Sequence, residues 1–151
     1  MQRKSLKAAV CPIARTMDVI GEWWTLLILR DAFFGIKRFS EFQQSLGLAK
    51  NILSARLRKL VENGILEMLP ASDGSAYQEY RLTEKGRSLS TILVALRQWG
   101  ESNLFDAGQA EFTLVDRRSM QPIRKLEVRS QKGRALLADD LDLVRSKGLS
   151  T

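Results

Sequence analysis

Between Ser40 and Leu82 the sequence changes its period once, at Gly64, and no other feature constrains the fold as much. Before that point two short helical stretches are parted by Gly47. Ser40-Glu41-Phe42-Gln43 has the S-x-x-Q form of a capping box. The second stretch runs over 50–63, with Gly64 as a left-handed stop. Beyond it, 65–69 and 77–82 alternate as strands, joined by the turn formers of 70–76.

Two helices on a tight turn, followed at once by a hairpin, give the layout of a winged helix-turn-helix. The flanks agree. Cys11-Pro12 opens a helix carrying Ile13, Met17 and Ile20, which Gly21 ends. A helix over about 24–34, apolar on more than one face, stops at Gly35 and reads as the buried central one. Thr83 caps a further helix bearing Leu89, Ile92, Leu93, Leu96 and Trp99 at helical spacing. The expected fold class is mostly α with a small β-hairpin wing, filling 1–106. For 107–151 the expectation is a small β-rich appendage, with strands at 112–115, 126–128 and 141–144 and turns at Gln121-Pro122 and Lys132-Gly133.

Composition narrows the chemistry. With no histidine and only Cys11, the chain lacks the residues for His-based acid–base catalysis, Cys-His nucleophiles and Cys/His zinc sites. No cofactor, metal or enzymatic activity is expected, and Asp139, Asp140 and Asp142 read as a solvated acidic cluster. One cysteine cannot form an intramolecular disulfide, and the N-terminus lacks the apolar run of a signal peptide. The longest apolar runs stop short of a membrane span, so a cytoplasmic protein is expected. A net charge of +7 points to a polyanionic partner.

That charge is concentrated. Lys37, Arg38, Lys50, Arg56, Arg58 and Lys59 face the single acid Glu41 over 37–60. On the 50–63 wheel, Leu53, Leu57, Leu60 and Val61 share one face, whereas Asn51, Ser54, Ala55 and Arg58 form the opposite one, with Lys50 at its end. This division suits a helix that reads the major groove of double-stranded DNA, although a solvated surface helix can show it too. Arg56 lies at the flank, where an internal acid is an equal partner. Lys37, Arg38 and Ser40 sit ahead of the reading helix as phosphate-contact candidates. Ser72, Gly74 and Ser75 at the wing tip are small enough to approach DNA closely, but Asp73 among them would repel phosphate, so a plain hairpin turn is the competing reading.

These stretches together resemble the HxlR family of bacterial winged-helix regulators, relatives of the MarR regulators. The resemblance is carried by Cys11-Pro12-Ile13-Ala14-Arg15 and by the run from Asp18 to Arg30. It continues through Arg38-Phe39-Ser40-Glu41-Phe42, the run from Leu53 to Leu60, and the run from Tyr80 to Arg87. It implies a homodimer built from the N-terminal helix and the helix after the wing, bound to a pseudo-palindromic operator. Ile13, Met17, Leu89, Ile92, Leu93, Leu96 and Trp99 would form the interface, and Lys50, Asn51, Ser54, Arg56 and Arg58 would read DNA. Two-fold symmetry would set the reading helices roughly 34 Å apart.

Some members of the family carry Cys-rich, zinc-knuckle-like C-terminal extensions; the tail here would be a metal-free relative. Several sense oxidants through a cysteine at the position of Cys11, where the helix dipole and Arg15 favour a thiolate. A small, aromatic effector near Trp23, Trp24, Phe34 and Trp99 is a second switch. The alternative function is a winged-helix protein–protein interaction module. The basic concentration favours DNA over that reading, because a protein-binding face is expected to expose more apolar groups.

Overall fold

A computed structural model describes residues 5–145. It contains α1 (Pro12–Ile20), α2 (Trp23–Phe33), α3 (Phe39–Leu46), α4 (Lys50–Glu62), β1 (Leu66–Pro70), β2 (Gln78–Leu82), α5 (Glu84–Arg87), α6 (Ser90–Asn103), β3 (Val128–Arg129) and β4 (Ala135–Leu136). A single 3-10 turn follows at Ala138–Asp140. The chain divides into two compact units inside α6, between Leu93 and Val94.

The first unit is a winged helix-turn-helix. Pro12 starts α1, where its missing N–H is no loss, and the Gly21 N–H closes the helix on the Met17 carbonyl. Gly21 has no room for a side chain: a Cβ would lie 2.4 Å from the Met17 oxygen. Helix α2 supplies the core centre with Ile28 and Leu29, joined by Phe42 of α3, Leu53, Leu57 and Leu60 of α4, and Ile65, Leu66 and Leu82 of the wing. Between α3 and α4 the chain turns at Gly47, which adopts φ +63°.

The wing is an antiparallel pair in which Leu66 faces Leu82 and Pro70 faces Gln78. Two contacts fasten it to the helices. The Tyr80 N–H donates to the Lys37 carbonyl at 2.8 Å, and the Tyr80 ring meets Phe42 edge-on, 6.4 Å between centroids. Helices α2 and α3 are pinned by Asp31, 5% exposed, whose carboxylate accepts from the Ser45 hydroxyl at 2.7 Å and from Arg30 Nε at 2.8 Å.

Two local expectations need correction. The capping carboxylate of α3 is Glu41, accepting from the Lys37 and Arg38 N–H groups, so the helix starts at Phe39 and Ser40 lies inside it. The helix that Thr83 caps is the short α5, whose Gly86 N–H donates to the Thr83 hydroxyl oxygen; two turn residues then separate it from α6. Gly86 packs against the wing so closely that a Cβ would lie 2.2 Å from the Ile65 oxygen.

The second unit holds fewer strands than its sequence suggests. Of the three expected, 126–128 overlaps β3, and 112–115 contributes only a bridge from Val115 to Pro122. Residues 141–144 form no strand. Gln121-Pro122 lies on the bridge rather than in the turn, which falls at 117–119. Lys132-Gly133 does turn, between β3 and β4, with Gly133 at φ +85°.

Candidate nucleic-acid interface

Helix α4 presents its two faces as unlike surfaces. Leu53, Leu57 and Leu60 are fully buried, while Lys50, Asn51, Ala55 and Arg58 are exposed and Ser54 is half-buried. Ala49 caps the helix without a side-chain bond, and Gly64 ends it at φ +66°. Among the described residues, no ion pair or side-chain hydrogen bond engages Lys50, Asn51 or Arg58. Their donors are available to bases and phosphates.

The other basic residues of this region are engaged within the domain. Arg56 is half-buried, and its Nη2 lies 3.2 Å from Glu22 Oε2 at the N-terminus of α2. Arg38 pairs with Asp73 at the wing tip, has Glu79 Oε1 at 4.0 Å, and lies over the Tyr77 ring at 5.7 Å. Lys37 and Ser40 are exposed beside it. Asp73 therefore acts as the acceptor that ties the wing to the start of α3.

The wing tip is organised by carboxylates. Glu79, 3% exposed, accepts from the Ser72 N–H at 3.2 Å and hydroxyl at 2.9 Å, and from Arg81 at 2.9 Å. The Arg81 hydrogen bond first, then those from Ser72, hold its carboxyl below the usual range against the opposing effect of burial. Asp73 is held well below it by Ser75, whose N–H donates to it at 3.0 Å, and by Arg38. The Ser72 hydroxyl is thus spent inside the wing, and Ser75 sits half-buried beside Asp73. Sequence reasoning allowed an internal acid for Arg56 without naming Glu22, and missed Glu79 and Tyr77 as partners of Arg38 and Arg81. Only the alternation of β2, which turns Glu79 inward, carried a signal for one of them.

The residues expected at a dimer interface fall into two sets. Leu89 and Leu93 pack on the core. Ile13, Met17, Ile92, Leu96 and Trp99 are exposed. Cys11 is exposed at the N-cap of α1, and Arg15 donates from Nε to the Ala9 carbonyl. Trp23 and Trp24 stack on each other with centroids 4.2 Å apart, and Phe34 is exposed. A groove of about 410 Å³ is found instead in the second unit, lined by Phe105, Phe112, Leu114 and Ile123.

An exposed polar face on the second of two turn-linked helices, followed by a hairpin wing, defines a winged helix-turn-helix protein of the regulator type. Residues 19–107 match the model of the HxlR-like helix-turn-helix family, and the chain belongs to that family. An uncharacterized HTH-type transcriptional regulator of Mycobacterium tuberculosis, Rv3095, is 48% identical over 92 residues. That match covers 61% of this chain and 58% of the relative, so the chain spans little more than half of that relative's length. The crystal structure of PA1607, assigned as a transcription factor, is similar over 95% of this chain and 100% of its own, at 55% identity and TM-score 0.89. The redox regulator HypR in its reduced form shares 35% identity over 62% of this chain and 94% of its own, at TM-score 0.58. The expectation of a regulator and not an enzyme stands with these relatives. No described helix is long and apolar enough to cross a membrane.

Proposed function

We propose that this chain is a cytoplasmic transcription regulator that reads double-stranded DNA as a homodimer on a pseudo-palindromic operator. The observation that carries the reading is the unengaged face of α4, with Lys50, Asn51 and Arg58 exposed opposite the buried Leu53, Leu57 and Leu60. Asn51 and Arg58 are the base readers, with Ser54 between them; Lys50, Lys37 and Ser40 meet phosphates. Arg38 and Arg56 reach phosphate only by exchanging Asp73 and Glu22 for it. Ser72 and Ser75 approach the backbone through the wing. Residues 1–106 carry DNA binding and dimerisation, with Ile13, Met17, Ile92, Leu96 and Trp99 in contact across the two-fold axis and Leu89 and Leu93 backing them.

The test is fluorescence-anisotropy binding to a pool of promoter fragments at several salt concentrations, with the Asn51→Ala/Arg58→Ala variant alongside. Selective binding to a few fragments, lost in the variant, is expected. Equal, salt-sensitive binding to every fragment, unchanged by the substitutions, rejects the assignment and promotes the protein–protein interaction module.

The exposure of Cys11 and the likeness to HypR favour a thiol switch in addition. As the only cysteine in the chain, Cys11 forms a disulfide with Cys11 of a second subunit or with a small thiol, the two thiols together giving up two electrons and two protons to the oxidant. Diamide should shift operator affinity in the wild type and leave Cys11→Ser unchanged. An equal response of both proteins excludes the switch.

A further inference from the structure

Among the described residues 94–145, not one is buried. Twelve of the exposed large apolar residues lie there, with Trp99 60%, Phe112 75% and Leu137 77% exposed. At roughly 150–250 Å² for a full aromatic side chain and somewhat less for Leu or Val, their exposed area is on the order of 1,500 Å². A standard stable interface takes about 800 Å² from each partner.

The polar contacts of this unit do not make up the deficit. Its ladder is two residues long on each side. Beyond that it has the bridge from Val115 to Pro122 with its flanking backbone bonds, exposed ion pairs such as Arg134–Asp140, and a few side-chain bonds: Gln98 donates to the Arg124 carbonyl at 3.0 Å and accepts from the Leu126 N–H at 2.8 Å, and Arg97 donates to the Phe112 carbonyl. Each such bond is worth about 1 kcal/mol net, whereas ordering one residue costs about 1–2 kcal/mol. A hairpin this short has no independent stability in water. The missing contribution is apolar burial against something else.

Charge and position say what that is. Nine basic and eight acidic residues lie over 94–145, a near balance that attracts no polyanion and sets up no repulsion between copies. The exposed apolar residues begin on α6 with Leu96 and Trp99, which the dimer reading already places at the two-fold axis. They continue directly into Leu104 and Phe105 where the helix ends. We infer that the C-terminal unit is an arm covered by a second copy of this chain, and that it completes its packing only in the dimer. The inference rests on the homodimer proposed above. The groove along Phe105, Phe112 and Ile123 is the concave part of the surface that receives the other subunit.

The test joins sedimentation velocity with limited trypsin digestion of the full chain across roughly a thousandfold range of concentration. Cleavage at the exposed Arg117 and Arg118 reports on the arm. Cleavage should slow in step with the dimer fraction. Phe112→Ser/Leu137→Ser should weaken dimerisation at least about tenfold and leave the arm open at every concentration, with the helical circular dichroism unchanged. A dimer whose arm is cut equally at low and high concentration, or whose strength ignores both substitutions, overturns the inference and leaves the homodimer standing. Protection of the arm in the monomer, or only after DNA is added, assigns another occupant and likewise overturns it. A monomer at every concentration removes both readings.

Discussion

Arg56 of the reading helix and Glu22 at the start of α2, 34 residues apart, meet at 3.2 Å with each side chain about one quarter exposed. The pair fastens α4 to the central helix, and Arg56 meets phosphate only when it exchanges Glu22 for it. Glu22→Gln should lower unfolding stability by no more than about 1 kcal/mol, the ordinary worth of a partly exposed pair. In DNA titrations against salt it should also leave affinity equal or higher, because a negative charge is removed from beside the interface. Arg56→Ala should lose stability and also flatten the slope of log affinity against log salt by about 0.9. A slope unchanged in Arg56→Ala would make this arginine structural only.

The wing carries an acid dependence of known sign. Both Asp73 and Glu79 are held below their ordinary values by hydrogen bonds and neighbouring arginines, so the folded state favours their ionised forms. Such groups contribute stability that is fully present above the unfolded carboxylate range, near pH 4, and is lost as pH falls from there through their lower folded values. The melting temperature should be flat between about pH 7 and 5 and fall below that. Glu79→Gln should start lower at neutral pH and lose less on acidification. Parallel curves for the two proteins would mean that the wing carboxylates do not carry the acid sensitivity.

Two glycines should respond with opposite sign to the same change. At Gly86 a Cβ meets the Ile65 carbonyl at 2.2 Å and Leu82 at 3.1 Å, so Gly86→Ala forces the wing and α5 apart at a cost of about 1–3 kcal/mol. Gly100 lies inside α6 with nothing within 4 Å, and Gly100→Ala should stabilise the helix by about 0.5–1 kcal/mol. Urea unfolding of both variants measures this. Destabilisation at both positions would show that Gly100 is itself a site of close approach.

Arg58 and Lys50 separate reading from holding. Arg58→Ala should cost about 1–3 kcal/mol on the preferred operator and relax discrimination at one base pair, whereas Lys50→Ala should weaken all sequences alike. Competition titrations with single-base operator variants distinguish the two. A uniform loss in Arg58→Ala would reassign it to the phosphate backbone.

Much of the first unit was legible because its signals are local. Pro12, Thr83 and the glycines at 47 and 64 act within one helical turn, and the leucines of α4 repeat at helical period; each was placed from the residues alone. Where two local signals competed, the choice was not local. Ser40 and Glu41 both suit a helix start, and Glu41 caps because the link through Lys37 is held by Tyr80 of the wing. Thr83 suits the start of one long helix, but α5 and α6 are separate, and Gly86 of α5 lies close against the Ile65 carbonyl. The second unit was least legible, since strands of two residues carry almost no alternation to detect.

By itself, the sequence determined the order and kind of elements in the winged domain, the buried face of α4, and the concentration of basic charge around it. These follow from propensity, capping and period, which act over three or four residues. Tertiary structure alone decided which of those charges stay available. Arg38 meets Asp73 across 35 residues and Arg56 meets Glu22 across 34, while Arg58, only two positions from Arg56, keeps its charge outward. Pairing at that range depends on how helices and wing pack, because two charges interact strongly only when the fold brings them within a few ångströms and excludes the water between them.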